Sequence, residues 1–381
     1  MMSEAASKLG SLSQPIEPAR DRNKDKSSAL ISPGIDRWVV GGASILLLLV
    51  MSVALRRRGP DEAIFMFVFN LSFAVNFPHF LVSYQLLYSD FGHKIFREAR
   101  YFWAAVVVPL LLLGVLGAGL MAESPMLWGH LANAMYFFVG WHYIKQIYGG
   151  ITVANALEKF HYNGLERLAL KTNLIALWAV AYIRANLGDE SQERSGILYH
   201  SPDLPEWTHT VAYGALVVSG VSVLYVNLAK YVREGRVPSG TAIICFLSIY
   251  AWYLPLFRHP MFKHTIPLFH SVQYLLFVYA FRRNKVDAHI EHPQTPEGRK
   301  KRLLGLYGYL LVPVITGAFL MYFLPQFLDE ASGPHRGVFG ATPFYFAFLV
   351  FINIHHYFID SVIWRGSNEE MRAYLFSPRS S

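Results

Sequence analysis

The sequence predicts an all-α polytopic integral membrane bundle of about ten transmembrane helices with both termini cytoplasmic. Three observations carry that prediction. Of the 381 residues, 53% are hydrophobic and only 16% charged, whereas a soluble domain carries roughly a quarter charged. The apolar residues fall into runs of about 20, the length that crosses a bilayer as a helix. The lysines and arginines lie in short segments between those runs, as positive-inside topology requires. The net charge of +8 is therefore a membrane feature and predicts no nucleic-acid partner. The single cysteine, Cys245, excludes an intrachain disulfide and a cysteine-based metal site.

Residues 1–37 are polar, rich in Ser, Pro, Lys and Asp, and lack an early apolar stretch. They read as a disordered cytoplasmic tail rather than a cleaved signal peptide. The transmembrane domain is expected over 38–365, and 366–381 as a short cytoplasmic tail. Within the domain the first span is Trp38 to Leu55, stopped by Arg56-Arg57-Arg58-Gly59-Pro60. The second runs from Glu62 to Tyr88. The third, Phe102 to Met121, is wholly apolar and expected to face lipid. The fourth is Leu127 to Gly150 and the fifth Leu168 to Leu187. A loop with Pro202 and Pro205 precedes the sixth, His209 to Tyr231, and the seventh is Val237 to Phe257. The eighth, His264 to Phe281, leads into a basic loop from Arg282 to Arg302. The ninth is Leu303 to Leu324 and the tenth Thr342 to Trp364.

The basic loop holds Arg282, Arg283, Lys285, Arg299, Lys300, Lys301 and Arg302, which sets it in the cytoplasm. Alternation then puts the loops with Lys94/Arg97/Arg100, Lys159/Arg167/Lys171 and Lys230/Arg233/Arg236 on the same side. Arg56-Arg57-Arg58 falls on the other side and departs from the rule.

The second, fourth, eighth and tenth spans then all run in one direction, and they carry His79, His142, His270 and His355-His356. Each histidine lies 8–12 residues before the cytoplasmic end of its predicted span, a shared depth of ~12–18 Å. Polar side chains in hydrocarbon are expensive and usually functional. Four parallel helices offering imidazole at one level can build a metal site in a bundle core. The expected metal ligands are His79, His142, His270, His355 and His356. Helical spacing puts Asn353, His356, Asp360 and Trp364 on one face, with His355 about 100° to the side.

The flanking residues read as support for these ligands, because a ligating imidazole commonly donates its other N–H to a carboxylate or amide. Asn76 and Ser83 share a face with His79. Lys145 and Gln146 follow His142 at i+3 and i+4, and Gln273 and Tyr274 follow His270 in the same way. Asp360 follows His356 at i+4. The sequence thus nominates Asp360, Lys145 and Tyr274 as catalytic groups, and Asn76, Gln146, Gln273 and Asn353 around the cofactor. Pro78 and Pro267 are expected to kink or open their helices. Lys145 is the one cation near the expected metal, so it either snorkels to the surface or holds a lipid headgroup.

Imidazole with one carboxylate and no thiolate suits iron, copper or zinc, and non-haem iron working with O₂ on a lipid-soluble substrate is the favoured expectation. A transporter or proton pathway through His142, Lys145 and Asp360 is one alternative. A haem- or quinone-binding electron-transfer subunit is another. Histidines on these helices resemble those of two oxygenase groups: the membrane fatty-acid desaturases and hydroxylases, and the bacterial Brp/Blh-type β-carotene-cleaving dioxygenases. The first group carries H-x-x-H-H boxes, and this chain has only the pair His355-His356. The second is similar in using single histidines from separate helices around one iron. The resemblance implies that His79, His142, His270 and His356 fill that role, in a bacterial-type inner membrane.

Overall fold

The computed structural model describes residues 29–58, 62–187, 192–194, 197–256, 265–290, 292, 294–332, 339 and 342–376. These residues form an almost entirely helical molecule. The long helices are α1 (Pro33–Arg56), α2 (Glu62–Gln85), α3 (Ala99–Met121), α4 (Pro125–Leu157), α5 (Gly164–Arg184), α6 (Glu206–Glu234), α7 (Gly240–Leu256), α8 (Thr265–Ala288), α9 (Pro296–Ala331) and α10 (Pro343–Ile363). A short α11 (Glu369–Leu375) follows, and a small antiparallel hairpin, β1 (Gln192–Arg194) with β2 (Ile197–Tyr199), lies between α5 and α6.

Among the described residues five helices, α1, α3, α6, α9 and α10, are long and apolar enough to cross a membrane. They differ in how much they are enclosed. In α10, 56% of the apolar window is buried, against 17–28% in the other four. Among these five, α10 is the most enclosed, and α3, α6 and α9 present bare apolar faces, such as Leu110, Leu224 and Ile315. Leu110, Leu111 and Leu113 on α3, which covers the third expected span, are exposed.

The helix ends follow local chemistry. Asn163 and Glu166 form a reciprocal capping box at the start of α5, which satisfies two otherwise orphan N–H groups. Pro125, Pro296 and Pro343 occupy first turns, where a missing N–H is harmless. Gly235 ends α6 with φ 65°, the left-handed conformation that favours glycine. The start of α10 is capped from outside: Asp329 at the end of α9 accepts from Phe344 N–H at 2.8 Å and Tyr345 N–H at 3.1 Å. Gly41 lets α1 press against α7, since a Cβ there would lie 2.7 Å from Ser248 Cβ.

Two expectations change. Order begins earlier than residue 38: Ala29 and Leu30 are buried, and Asp36 accepts from the N–H groups of Leu30 and Ile31 at 2.6 and 2.9 Å. The remainder of the expected tail, 1–28, lies outside the described residues. The C-terminal segment also packs, because α11 buries Met371 and Leu375. Pro267 lies two residues into the described part of α8, and the residues before Thr265 lie outside the described residues. Pro78 does lie inside α2.

Candidate metal centre

Four helices deliver one imidazole each to a common point. His79 comes from α2, His142 from α4, His270 from α8 and His356 from α10, and all four are buried. One ligand nitrogen from each can be chosen so that all lie within 4.8 Å of one another. The rings stand at the corners of a quadrilateral. Centroid separations are 4.4 Å for His79–His356, 4.8 Å for His79–His270, 4.7 Å for His142–His270 and 4.9 Å for His142–His356. Adjacent rings stand close to perpendicular, at 74–88°.

The hydrogen-bond network fixes which nitrogen is bare on two of the rings. Ser83 donates its hydroxyl proton to the Phe80 carbonyl at 2.6 Å. It can therefore only accept from His356, whose Nδ1–H donates to Ser83 Oγ at 2.8 Å. The His356 Nε2 lone pair is then free. Ser271 donates to Asn76 Oδ1 at 2.7 Å, and His79 Nδ1–H donates to the same oxygen at 3.2 Å. This leaves the lone pair on His79 Nε2. A second partner that fixes the tautomer is the usual arrangement of a metal-binding imidazole.

The inward nitrogens have no hydrogen-bond partner. His79 Nε2, His142 Nε2, His356 Nε2, both nitrogens of His270 and Asp360 Oδ2 are buried and unsatisfied. Buried polar atoms in folded proteins are nearly always paired, so this convergence asks for something to bind. Asp360 Oδ2 lies 3.5 Å from His142 Nε2 and 3.4 Å from His356 Nε2. Its other oxygen accepts from the Tyr274 hydroxyl at 3.0 Å. Ligands about 2.1 Å from one ion cannot be more than ~4.2 Å apart, so the observed spread is within about 1 Å of a coordination sphere. The donor set of imidazole plus carboxylate fits iron, copper or zinc.

The structure sorts the residues nominated from sequence. It brings together His79, His142, His270, His356, Asp360, Tyr274 and Asn76. His355 is placed elsewhere: Tyr84 donates to its Nδ1 at 2.6 Å, and its Nε2–H donates to the Ala104 carbonyl at 2.9 Å. With both nitrogens engaged on the α3 side, it is not one of the converging four. The 100° step between adjacent helical residues explains the split. Gln146 and Gln273 support backbone instead of rings. Gln146 donates to the His270 carbonyl at 2.9 Å and to Gln273 Oε1 at 3.2 Å, and Gln273 donates to the Val40 carbonyl of α1. Asn353 turns back onto its own helix, donating to the Leu349 carbonyl at 2.8 Å. Lys145 is exposed and reaches Tyr357 Oη at 3.4 Å, away from the converging nitrogens. His259, His264 and His335 lie outside the described residues.

Ser271 is a member that sequence reasoning missed, and Tyr84 is the missed partner of His355. The adjacency of Ser271 to His270 was the only available signal, and its contact is with another helix. A scan against protein-family models and searches of curated proteins and of solved structures find no match.

Proposed function

We propose that this chain is a membrane-embedded metalloenzyme, a non-haem iron oxygenase or desaturase acting on a lipid-soluble substrate. The observation that carries the reading is the convergence of buried, unpartnered imidazole nitrogens beside Asp360. His79, His142, His270 and His356 would hold the iron, with Asp360 available as a fifth donor. Iron in such a site supplies O₂ activation. Asn76 and Ser83 keep the Nδ1 protons of His79 and His356 in place, so that Nε2 of each stays a lone-pair donor. Tyr274 orients the Asp360 carboxylate and can return a proton to it. The helices around the site exclude water, which suits oxidation of an apolar chain.

The spacing of the rings favours this reading over a haem. Four imidazoles with sides of 4.4–4.9 Å leave no gap between them for a porphyrin. The wider topology belongs to the same proposal: about ten spans, both ends cytoplasmic, in a bacterial-type inner membrane. The histidines sit on the even-numbered helices α2, α4, α8 and α10, which run the same way if every helix crosses.

The test is O₂ uptake by the iron-loaded protein in detergent, with unsaturated fatty acids and carotenoids offered as substrates. Substrate-dependent uptake that stops after chelation is the expected outcome. Substrate-independent uptake, or none with either class, contradicts the oxygenase reading.

A further inference from the structure

One turn beyond His142, α4 carries a cation that the metal centre does not use. Lys145 is exposed, with its Nζ 3.4 Å from Tyr357 Oη and 5.1 Å from that ring's centroid. Tyr357 adjoins His356, and its ring is 6.2 Å from that of His142. One aromatic side chain thus separates the ammonium from the cluster. Arg365 lies two residues past the end of α10, with its Nε donating back to the Ser361 carbonyl at 2.8 Å. Its guanidinium is thus held about one helical turn beyond Tyr357.

Among the described residues, neither cation has a carboxylate within ion-pairing distance, since Asp360 faces Tyr274 and the histidines. Several other cations are paired within the chain: Lys230 with Glu166, Lys285 with Asp90, Arg302 with Asp287. Two neighbouring like charges repel, and an unpaired charge at a hydrocarbon surface is expensive. An anion from outside the chain relieves both penalties. Both cations also lie C-terminal to the histidines, Lys145 on α4 and Arg365 just past α10. A headgroup held between them leaves its hydrocarbon to run back along the α4–α10 seam, past Phe138 and Tyr357, whose rings pack at 5.0 Å, toward His142 and His356.

We propose that Lys145, Tyr357 and Arg365 bind the anionic headgroup, phosphate or carboxylate, of an amphiphilic lipid whose chain reaches the histidine cluster. The proposal rests on the oxygenase reading and narrows its substrate class from any lipid-soluble molecule to an anionic amphiphile.

Native mass spectrometry in a neutral detergent tests it, with phosphatidylglycerol, oleate and phosphatidylcholine as probes. Wild type is expected to retain phosphatidylglycerol or oleate over phosphatidylcholine. K145Q and R365Q should each weaken that binding by about fivefold, the effect of one basic residue at a membrane surface, while K300Q near the start of α9 leaves it unchanged. Retention of oleate assigns a carboxylate, and retention of phosphatidylglycerol alone assigns a phosphodiester. Equal binding by wild type, K145Q and R365Q, or equal binding of phosphatidylcholine, overturns the proposal. Metal content is measured on the same samples and should be the same in K145Q and wild type. Lysine-dependent lipid binding by a protein that takes up no metal would support the headgroup site and contradict the metalloenzyme.

Discussion

His355 and His356 are neighbours in sequence with different partners. His356 turns into the cluster with a free Nε2, while His355 bridges the Tyr84 hydroxyl and the Ala104 carbonyl. The difference is a matter of helical phase, and it shows what a residue-level reading can and cannot find. Contacts within one helix were legible: the His79–Asn76 bond and the His356–Asp360 approach follow from i−3 and i+4 spacing. Contacts across helices were not, because they depend on how the helices pack. Ser83 was expected to serve His79 on its own helix, yet it accepts from His356 of α10. Its removal is therefore informative. In S83A, His356 Nδ1–H loses its acceptor and the ring its fixed tautomer. Metal affinity should fall by about 10–100-fold, read by competition with a chelator of known affinity. An unchanged affinity would show that the serine does not set the ligand's tautomer.

At the scale of elements, the pair α5 and α6 is closed by charge at one end. Glu166 takes Lys230 at 3.1 Å and Arg233 at 2.9 Å, while its backbone N–H donates to the Asn163 side chain at 3.0 Å. Burial alone would raise the carboxyl pKa, but the Asn163 backbone N–H bond, Lys230 and Arg233 together hold it below the usual value. A depressed carboxylate stabilises the fold fully above its unfolded pKa of about 4.3 and loses that contribution as pH falls through the lower folded value. E166Q also leaves the buried Lys230 with one fewer partner. It should cost about 3 kcal/mol at pH 7, seen as a lower thermal midpoint in detergent. The gap from wild type should narrow below about pH 4. A gap that stays constant through that range would remove Glu166 ionisation from the explanation. Helix boundaries were the weaker part of the sequence reading. The fourth helix runs on to Leu157, seven residues past its expected end, because no breaker follows Gly150.

For the whole molecule, the long apolar runs made the helical membrane class legible, and the shared depth of four histidines made the cluster legible. The packing of residues 29–32 and of α11 was not. Residues 29–32 are tied down by Asp36 and α11 by the bundle, and neither has an apolar run to announce it. The direction of insertion is testable independently of the chemistry. A phosphatase or fluorescent reporter fused after Arg302 should report the cytoplasm, as the basic loop predicts. A signal from the opposite side would invert the topology while leaving the four-helix convergence intact.

The central claim is that four histidines from α2, α4, α8 and α10 hold one metal ion and that the fifth candidate does not. Elemental analysis of purified wild type, H356A and H355A addresses it most directly. Wild type should carry about one equivalent of metal, H356A should lose it, and H355A should keep it despite a stability loss of about 2 kcal/mol from its two broken hydrogen bonds. Equal metal content in H356A and wild type, or loss in H355A with the fold intact, would contradict the account.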